Sequence, residues 1–418
     1  MLSNSRLFIA WLFGFISGFA IMISGNTLNY WLAKENINLQ TIGIFSFILL
    51  PYSINFLWAP IFDTVKLGRL NKIFGHRLSW LFLIGIFLAF ATFALSFLNP
   101  TKDLWLFALV ALIISFLSSA QDTILSAFRT EIITKEAQGT ASGIYIFGYR
   151  FGMLLSGFGA IYLSSYLTFG EIYKIFAILV PIYLILLFFS IKCFNIVANN
   201  ISFPPITNYP NNYPNNIYNF LSDILKPIGS FSFITLIIIF LILYRLPDNF
   251  INVMINPFLI HIGYNAIEIA SLSKFLGIMG AIIGGLIASF IMKKKNILDS
   301  IFLFGVIHSL AHILFIALEI YGKNFSLLFI TVAIESITGG MAMAAYIAFI
   351  SSLCHGKFRA TQYSFFSSMM GFSRAIFPTI SGYVVVNFGW QNFFAFTTII
   401  TIPSLLIALK IKNRFLRK

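Results

Sequence analysis

Tyr149-Arg150-Phe151-Gly152-Met153-Leu154-Leu155-Ser156-Gly157 lies inside one long apolar stretch, and Ser373-Arg374-Ala375-Ile376-Phe377-Pro378-Thr379-Ile380-Ser381-Gly382 lies inside another. Each buries one arginine roughly ten residues into a run otherwise suited to hydrocarbon, about 15 Å deep at the rise of a helix. Each ends on Ser-Gly. Phe169-Gly170 follows the first and Phe388-Gly389 the second, so the chain of 418 residues repeats itself at a spacing of about 220. Two parallel halves of one membrane-spanning unit follow from that repeat.

Working outward, the rest of the chain has the same character. Hydrophobic residues make up 59% and charged residues only 10%, with a mean hydropathy of +0.91. A soluble globule of this size has too little interior to hide that much apolar surface. Runs of about 20 apolar residues, the length that crosses the hydrocarbon layer, predict helices over 7–28, 41–62, 79–98, 104–127, 140–166 and 172–192. A second set is predicted over 229–250, 264–292, 298–320, 325–350, 361–386 and 391–411. The first run, Leu7 to Ile23, follows Arg6 like a signal peptide. Ser24-Gly25-Asn26-Thr27 is a poor cleavage site, so the run is expected to stay as the first helix. Between the sets, Asn-Tyr-Pro-Asn-Asn-Tyr-Pro-Asn-Asn (208–216) cannot be a membrane helix, because proline removes donors and blocks continuation. The expected fold class is therefore an all-α polytopic membrane protein of twelve transmembrane helices, with halves at 1–192 and 229–418 and a cytoplasmic linker at 193–228.

Charge gives the orientation. With both termini inside, 19 of the 27 Lys and Arg residues fall on the cytoplasmic side and four (Lys34, Lys102, Lys174, Lys323) on the other. The net charge of +14 is then matched to anionic membrane lipids, which excludes nucleic acid as its explanation. Cys193 and Cys354 have no metal-ligand spacing.

Ionisable residues at membrane depth mark function, since each costs about 2.5–3.5 kcal/mol or more to insert. Arg150, Arg374 and Glu335 are expected mid-helix, with the two arginines aimed at a cavity between the halves. Gln121 and Asp122 are placed about five residues from the cytoplasmic end of the fourth helix, with Arg129 on the same face as Asp122. Asp122 and Arg129 read equally well as a structural pair locking that helix. Arg245 and Asp248, three apart around Pro247, are expected near the outer end of the seventh helix as a snorkelling pair. His308 and His312 are four apart, but the sequence offers no third ligand, so no metal site is expected. Gly277, Gly280, Gly284 and Gly285 suggest close helix packing or hinges. There is no Walker loop and no nucleophile elbow, so neither an ATPase module nor an enzyme is expected, and no cofactor.

Ser118-Ser-Ala-Gln-Asp-Thr-Ile-Leu-Ser-Ala-Phe-Arg-Thr-Glu131 resembles the helix-four signature of AmpG muropeptide permeases, S-x-S-Q-D-I-x-x-D-A-Y-R-T-E. Gly14 to Leu28, Thr41 through Asp63 and Gly148 to Leu154 are similar to the same family. The chain departs from it at Ser126, where the family has a second Asp, and over Gly75-His-Arg-Leu-Ser-Trp80, where the family is G-R-R-R-G-W. The resemblance implies a major facilitator fold in a bacterial inner membrane. It further implies proton-driven import of N-acetylglucosaminyl-anhydromuropeptides during cell-wall recycling. The partners so implied are an anionic small-molecule substrate, protons and lipids. Arg150, Tyr149, Gln121, Arg374 and Arg245 are the expected substrate contacts, since Arg suits carboxylates and Tyr stacks on sugars. Asp122 and Glu335 are the expected proton carriers, and Asp63, Arg69 and Arg129 the expected conformational latch. A major facilitator transporter of another metabolite, drug or acyl-CoA-like anion is the alternative.

Overall fold

A computed structural model describes residues 4–132, 138–193, 230–354 and 359–415. Among the described residues the chain is helical and contains no strand. This is what a bilayer demands, because a helix satisfies every backbone polar group within itself. Spans 1 and 3 to 6 are Ser5–Lys34, His76–Leu95, Leu104–Arg129, Gly143–Leu163 and Phe169–Cys193; spans 7 to 10 are Phe231–Ile262, Ala266–Met292, Ile297–Tyr321 and Phe325–Leu353. Leu39–Ser53 supplies a shorter span 2, and an apolar run of 49 residues, Phe365–Asn413, supplies the last two. That run is broken at Gly389, whose φ of 78° lies in the left-handed region open to glycine, so it makes spans 11 and 12. The total is the expected twelve.

Asparagine starts several spans. Asn38 accepts from the Thr41 N–H at 2.7 Å and Asn324 from that of Leu327 at 3.0 Å. Asn265 and Glu268 exchange side-chain-to-backbone bonds as a capping box, which gives Glu268 its task at the head of span 8. Leucine, phenylalanine and isoleucine side chains such as Phe90, Leu286 and Phe290 point outward and stay exposed, the surface that lipid covers.

The chain divides into two compact units, Met1–Asn199 with Val253–Phe275, and Asn200–Asn252 with Leu276–Lys418. In the first, spans 1 and 5 touch backbone to backbone: a Cβ placed on Gly14, Gly18, Gly148 or Gly152 would lie 1.9–2.1 Å from a carbonyl oxygen of the other helix. In the second, spans 8 and 10 do the same, with Gly284 facing the Ile337 carbonyl and Gly340 that of Ala281. The expected linker at 193–228 lies, apart from Cys193, outside the described residues.

Three boundaries differ from the expectation. Span 1 continues to Lys34 and the fourth helix to Ile132, which puts Asp122 ten residues from its end instead of five. Span 7 continues to Ile262 where the sequence suggested a stop at 250. Pro247, Asp248, Asn249 and Asn252 lower the hydropathy there, yet Asp248 and Asn249 are buried in protein, so the helix need not end.

Candidate functional site

Polar side chains collect in two places, one in each unit. In the first unit the close approach of spans 1 and 5 sets Ser17 beside Tyr145. Asp122, on span 4, accepts from Ser17 Oγ and lies 3.1 Å from the Tyr145 hydroxyl, which is 3.0 Å from Ser17 Oγ. Arg129 lies one face-repeat further along the same helix, with its guanidinium 4.6 Å from the centre of the Tyr145 ring. Asp122 and Arg129 therefore meet at one tyrosine, and three helices are joined there. Gln121, beside them, is fully buried, its amide donating to the Tyr183 hydroxyl at 3.1 Å.

Tyr149 stacks along Tyr145 with centroids 6.4 Å apart, and Arg150 is half-buried with Nη1 3.8 Å from Met153 Sδ. Span 5 passes into one π-helical stretch, Leu154–Phe158, a turn beyond Arg150. Such bulges re-aim side chains and recur at functional positions.

Of the expected latch residues, Asp63 has no described side chain and Arg69 is exposed in the short helix Gly68–Phe74. The ion pair found in this region is one that sequence reading missed. Arg77 donates from Nε and Nη2 to Glu131 at 2.9 and 2.5 Å, and its Nη1 reaches the Phe62 carbonyl at 3.3 Å. His76 lies 2.8 Å from the same carbonyl. Both partners were visible as the Arg of the post-helix-2 loop and the final Glu of the helix-four signature. Nothing in a spacing of 54 residues pairs them.

The second unit holds a denser cluster. Span 7 changes direction at Arg245 (φ −95°, ψ −4°), because Pro247 has no N–H to continue the ladder. Arg245 Nη1 pairs with one oxygen of Asp248 and His308 Nε2 with the other. His312 Nε2 stands 4.0 Å from that second oxygen. His308 Nδ1 is 3.0 Å from Thr338 Oγ1 on span 10, where Gly339 leaves room for the imidazole. Asp248, His308 and His312 are all buried, near the middle of their spans.

This corrects two expectations. Arg245 and Asp248 are not a snorkelling pair at the outer end, because the longer span 7 carries them to mid-membrane. The histidines do have a third neighbour: Asp248, His308 and His312 set one ligand-type atom each within 4.8 Å of one another. Arg245 already neutralises that carboxylate, so a divalent ion would meet no net negative charge among these buried groups, and the donors do not suit one. Arg374 stands next to Ser373, whose hydroxyl donates to the Ile242 carbonyl at 2.9 Å and accepts from Asn249 at 3.0 Å. Glu335, half-buried on span 10, lies close enough for its charge to act on His308.

Comparison with known proteins gives the family. The Major Facilitator Superfamily profile matches residues 10–324 and 299–415. AmpG 1 of Rickettsia bellii is 72% identical over 411 residues, covering 98% of this chain and 99% of its own length. The anhydromuropeptide permease of Escherichia coli is 30% identical over 409 residues, 97% of this chain and 79% of that one. Among solved structures, the nucleoside transporter NupG superposes with a TM-score of 0.72 at 15% identity over 97% of this chain and 99% of that one. A D-xylose–proton symporter superposes with a TM-score of 0.68 at 12% identity over 98% and 97%, a likeness of fold. A twelve-span helical membrane protein with these relatives belongs to the Major Facilitator Superfamily and, within it, to the AmpG permease family.

Proposed function

We propose that this protein imports N-acetylglucosaminyl-anhydromuropeptides from periplasm to cytoplasm across the bacterial inner membrane, driven by protons. The observation that carries the reading is the identity with the anhydromuropeptide permease along 97% of the chain. The chemistry is consistent with it. A muropeptide brings peptide carboxylates and sugar faces, and Arg150, Arg374 and Tyr149 are the side chain types that hold them. Gln121 and Arg245 are engaged with Tyr183 and Asp248, and on this reading support the contacts instead of making them.

Uptake of labelled anhydromuropeptide into proteoliposomes tests the proposal. Accumulation above the external concentration is expected under an inward proton gradient, and its collapse on adding a protonophore. Uptake that ignores the gradient removes the coupling, and no uptake at all removes the substrate.

The charge split supports an orientation with both termini and the 193–228 segment in the cytoplasm. A cysteine introduced as Asn211→Cys should resist a membrane-impermeant thiol reagent in intact spheroplasts and react once the membrane is opened. Labelling in sealed cells reverses the orientation.

A further inference from the structure

We propose that the coupled proton is carried by the hydrogen-bonded pair Asp248–His308 in the second unit. The inference deepens the transport reading above and rests on it.

Asp248 and His308 are buried near the middle of their spans and hydrogen-bonded to each other, an acid and an imidazole that can hold or give up one proton between them. Thr338 has one hydroxyl proton, and its oxygen lies 2.7 Å from the Ile334 carbonyl and 3.0 Å from that of Glu335. Thr338 Oγ1 also lies 3.0 Å from His308 Nδ1, so the hydroxyl gives its proton either to a carbonyl or to that nitrogen. With the hydroxyl proton on a carbonyl, His308 donates from Nδ1; with it on Nδ1, the imidazole carries its own hydrogen at Nε2. A neutral imidazole protonated at Nδ1 presents a bare lone pair at Nε2, and Nε2 faces a carboxylate oxygen of Asp248. Two lone pairs cannot hold that contact. The contact is made either by the Nε2–H tautomer or by a further hydrogen held between Nε2 and Asp248. The second of these is the proton-loaded state of the pair.

Unloading has a defined consequence. With the hydrogen present, Arg245, Asp248 and His308 together carry one positive charge; without it they carry none. When that hydrogen leaves, either the imidazole carries its remaining hydrogen on Nε2 while Thr338 turns its hydroxyl to Nδ1, or the lone pairs of Nε2 and Asp248 repel and the imidazole turns or span 9 shifts against spans 7 and 10. The backbone is prepared for this at both places. Span 7 is broken at Arg245. Span 9 tightens at His312, whose N–H bonds to the Ser309 carbonyl, three residues back, at 3.2 Å. Loading and helix position are thus linked through one contact.

Each helix around the pair contributes to its field. Arg245 and Tyr244 face it from span 7 and His312 from span 9. Thr338 and Glu335 do so from span 10, where Tyr346 faces Arg245. Tyr244 and Tyr346 bind backbone carbonyls at 3.1 and 3.0 Å, and Glu335 is the remaining acid whose charge reaches His308.

His308→Gln and Asp248→Asn, each in the purified full chain, give the test. With one proton per substrate, a gradient of one pH unit supports about tenfold accumulation. Both variants should lose that accumulation while still exchanging labelled for unlabelled anhydromuropeptide across the membrane. Accumulation retained in His308→Gln, or exchange and accumulation lost together in folded protein, overturns the proposal. A substrate-free measurement separates it from the transport reading. Between about pH 5 and 8, where imidazole titrates, the thermal midpoint of the wild-type protein should change with pH more than that of His308→Gln, which keeps the other four histidines. If wild type moves no muropeptide in either mode, the substrate assignment fails; equal pH dependence of the two midpoints then fails the proton pair as well.

Discussion

Gly152→Leu is expected to leave almost no folded protein in the membrane, whereas Gly143→Leu, nine residues earlier in the same span, should be tolerated. A Cβ at Gly152 would sit 2.1 Å from the Phe15 carbonyl oxygen and 2.6 Å from the Phe19 nitrogen. Both are backbone atoms of span 1 and cannot rotate aside. Spans 1 and 5 would have to separate over their whole contact, which also holds Gly14, Gly18 and Gly148. Overpacking that a side chain can absorb costs about 1–3 kcal/mol; here there is none to yield, so the loss should exceed about 4 kcal/mol. At Gly143 nothing lies within 4 Å. The second unit allows a stricter version with adjacent residues. A Cβ at Gly284 would be 1.9 Å from the Ile337 carbonyl oxygen, and one at Gly285 would meet open space. Size-exclusion profiles of the four detergent-solubilised variants should show monodisperse protein only for Gly143→Leu and Gly285→Leu. Equal behaviour within either pair would show that the glycines do not hold the helices together.

The same glycines show how far sequence carries. Their type announces close packing, because small residues are what membrane helices use to approach one another. Which of four neighbours makes the contact depends on the rotation of each helix, and the sequence leaves that open. Gly280 and Gly284 meet Ser336 and Ile337, while Gly277 and Gly285 do not take part. The twelve spans were legible because hydrocarbon thickness imposes a length on every apolar run. The misplaced end of span 7 has the complementary cause. Hydropathy reads a buried polar stretch as the end of a span, and Pro247-Asp248-Asn249 is polar because it serves a protein interior. The AmpG-like signature led to Asp122, Arg129 and Tyr149, residues close in sequence. The Asp248–His308 contact and the Arg77–Glu131 pair join residues 60 and 54 positions apart, and no local period links them. The two histidines at i, i+4 were the one signal, and their partner could be found only once span 7 was seen to continue past them.

Asp122→Asn should lower gradient-driven uptake and substrate exchange together. The sequence offers Asp122 as a proton carrier, since it is the acid kept in the helix-four signature where position 126 is Ser. Its surroundings assign it another task. The carboxylate accepts from Ser17 on span 1 and lies within hydrogen-bond reach of Tyr145 on span 5, and Tyr145 in turn carries the Arg129 guanidinium on its ring. Hydrogen bonds to a charged acceptor contribute about 1.5–3 kcal/mol. An asparagine of the same shape keeps one acceptor, turns a donor toward hydroxyls, and removes the charge. The junction of spans 1, 4 and 5 should loosen, beside Tyr149 and Arg150, where substrate is proposed to bind. Exchange needs binding and helix movement but no net proton, so a residue that only couples would spare it. A residue that positions the binding helices cannot. Tyr145→Phe, which removes one hydroxyl and no charge, should depress both activities in the same proportion but less. Intact exchange with uphill uptake lost in Asp122→Asn would return the proton to Asp122 and take it from Asp248–His308.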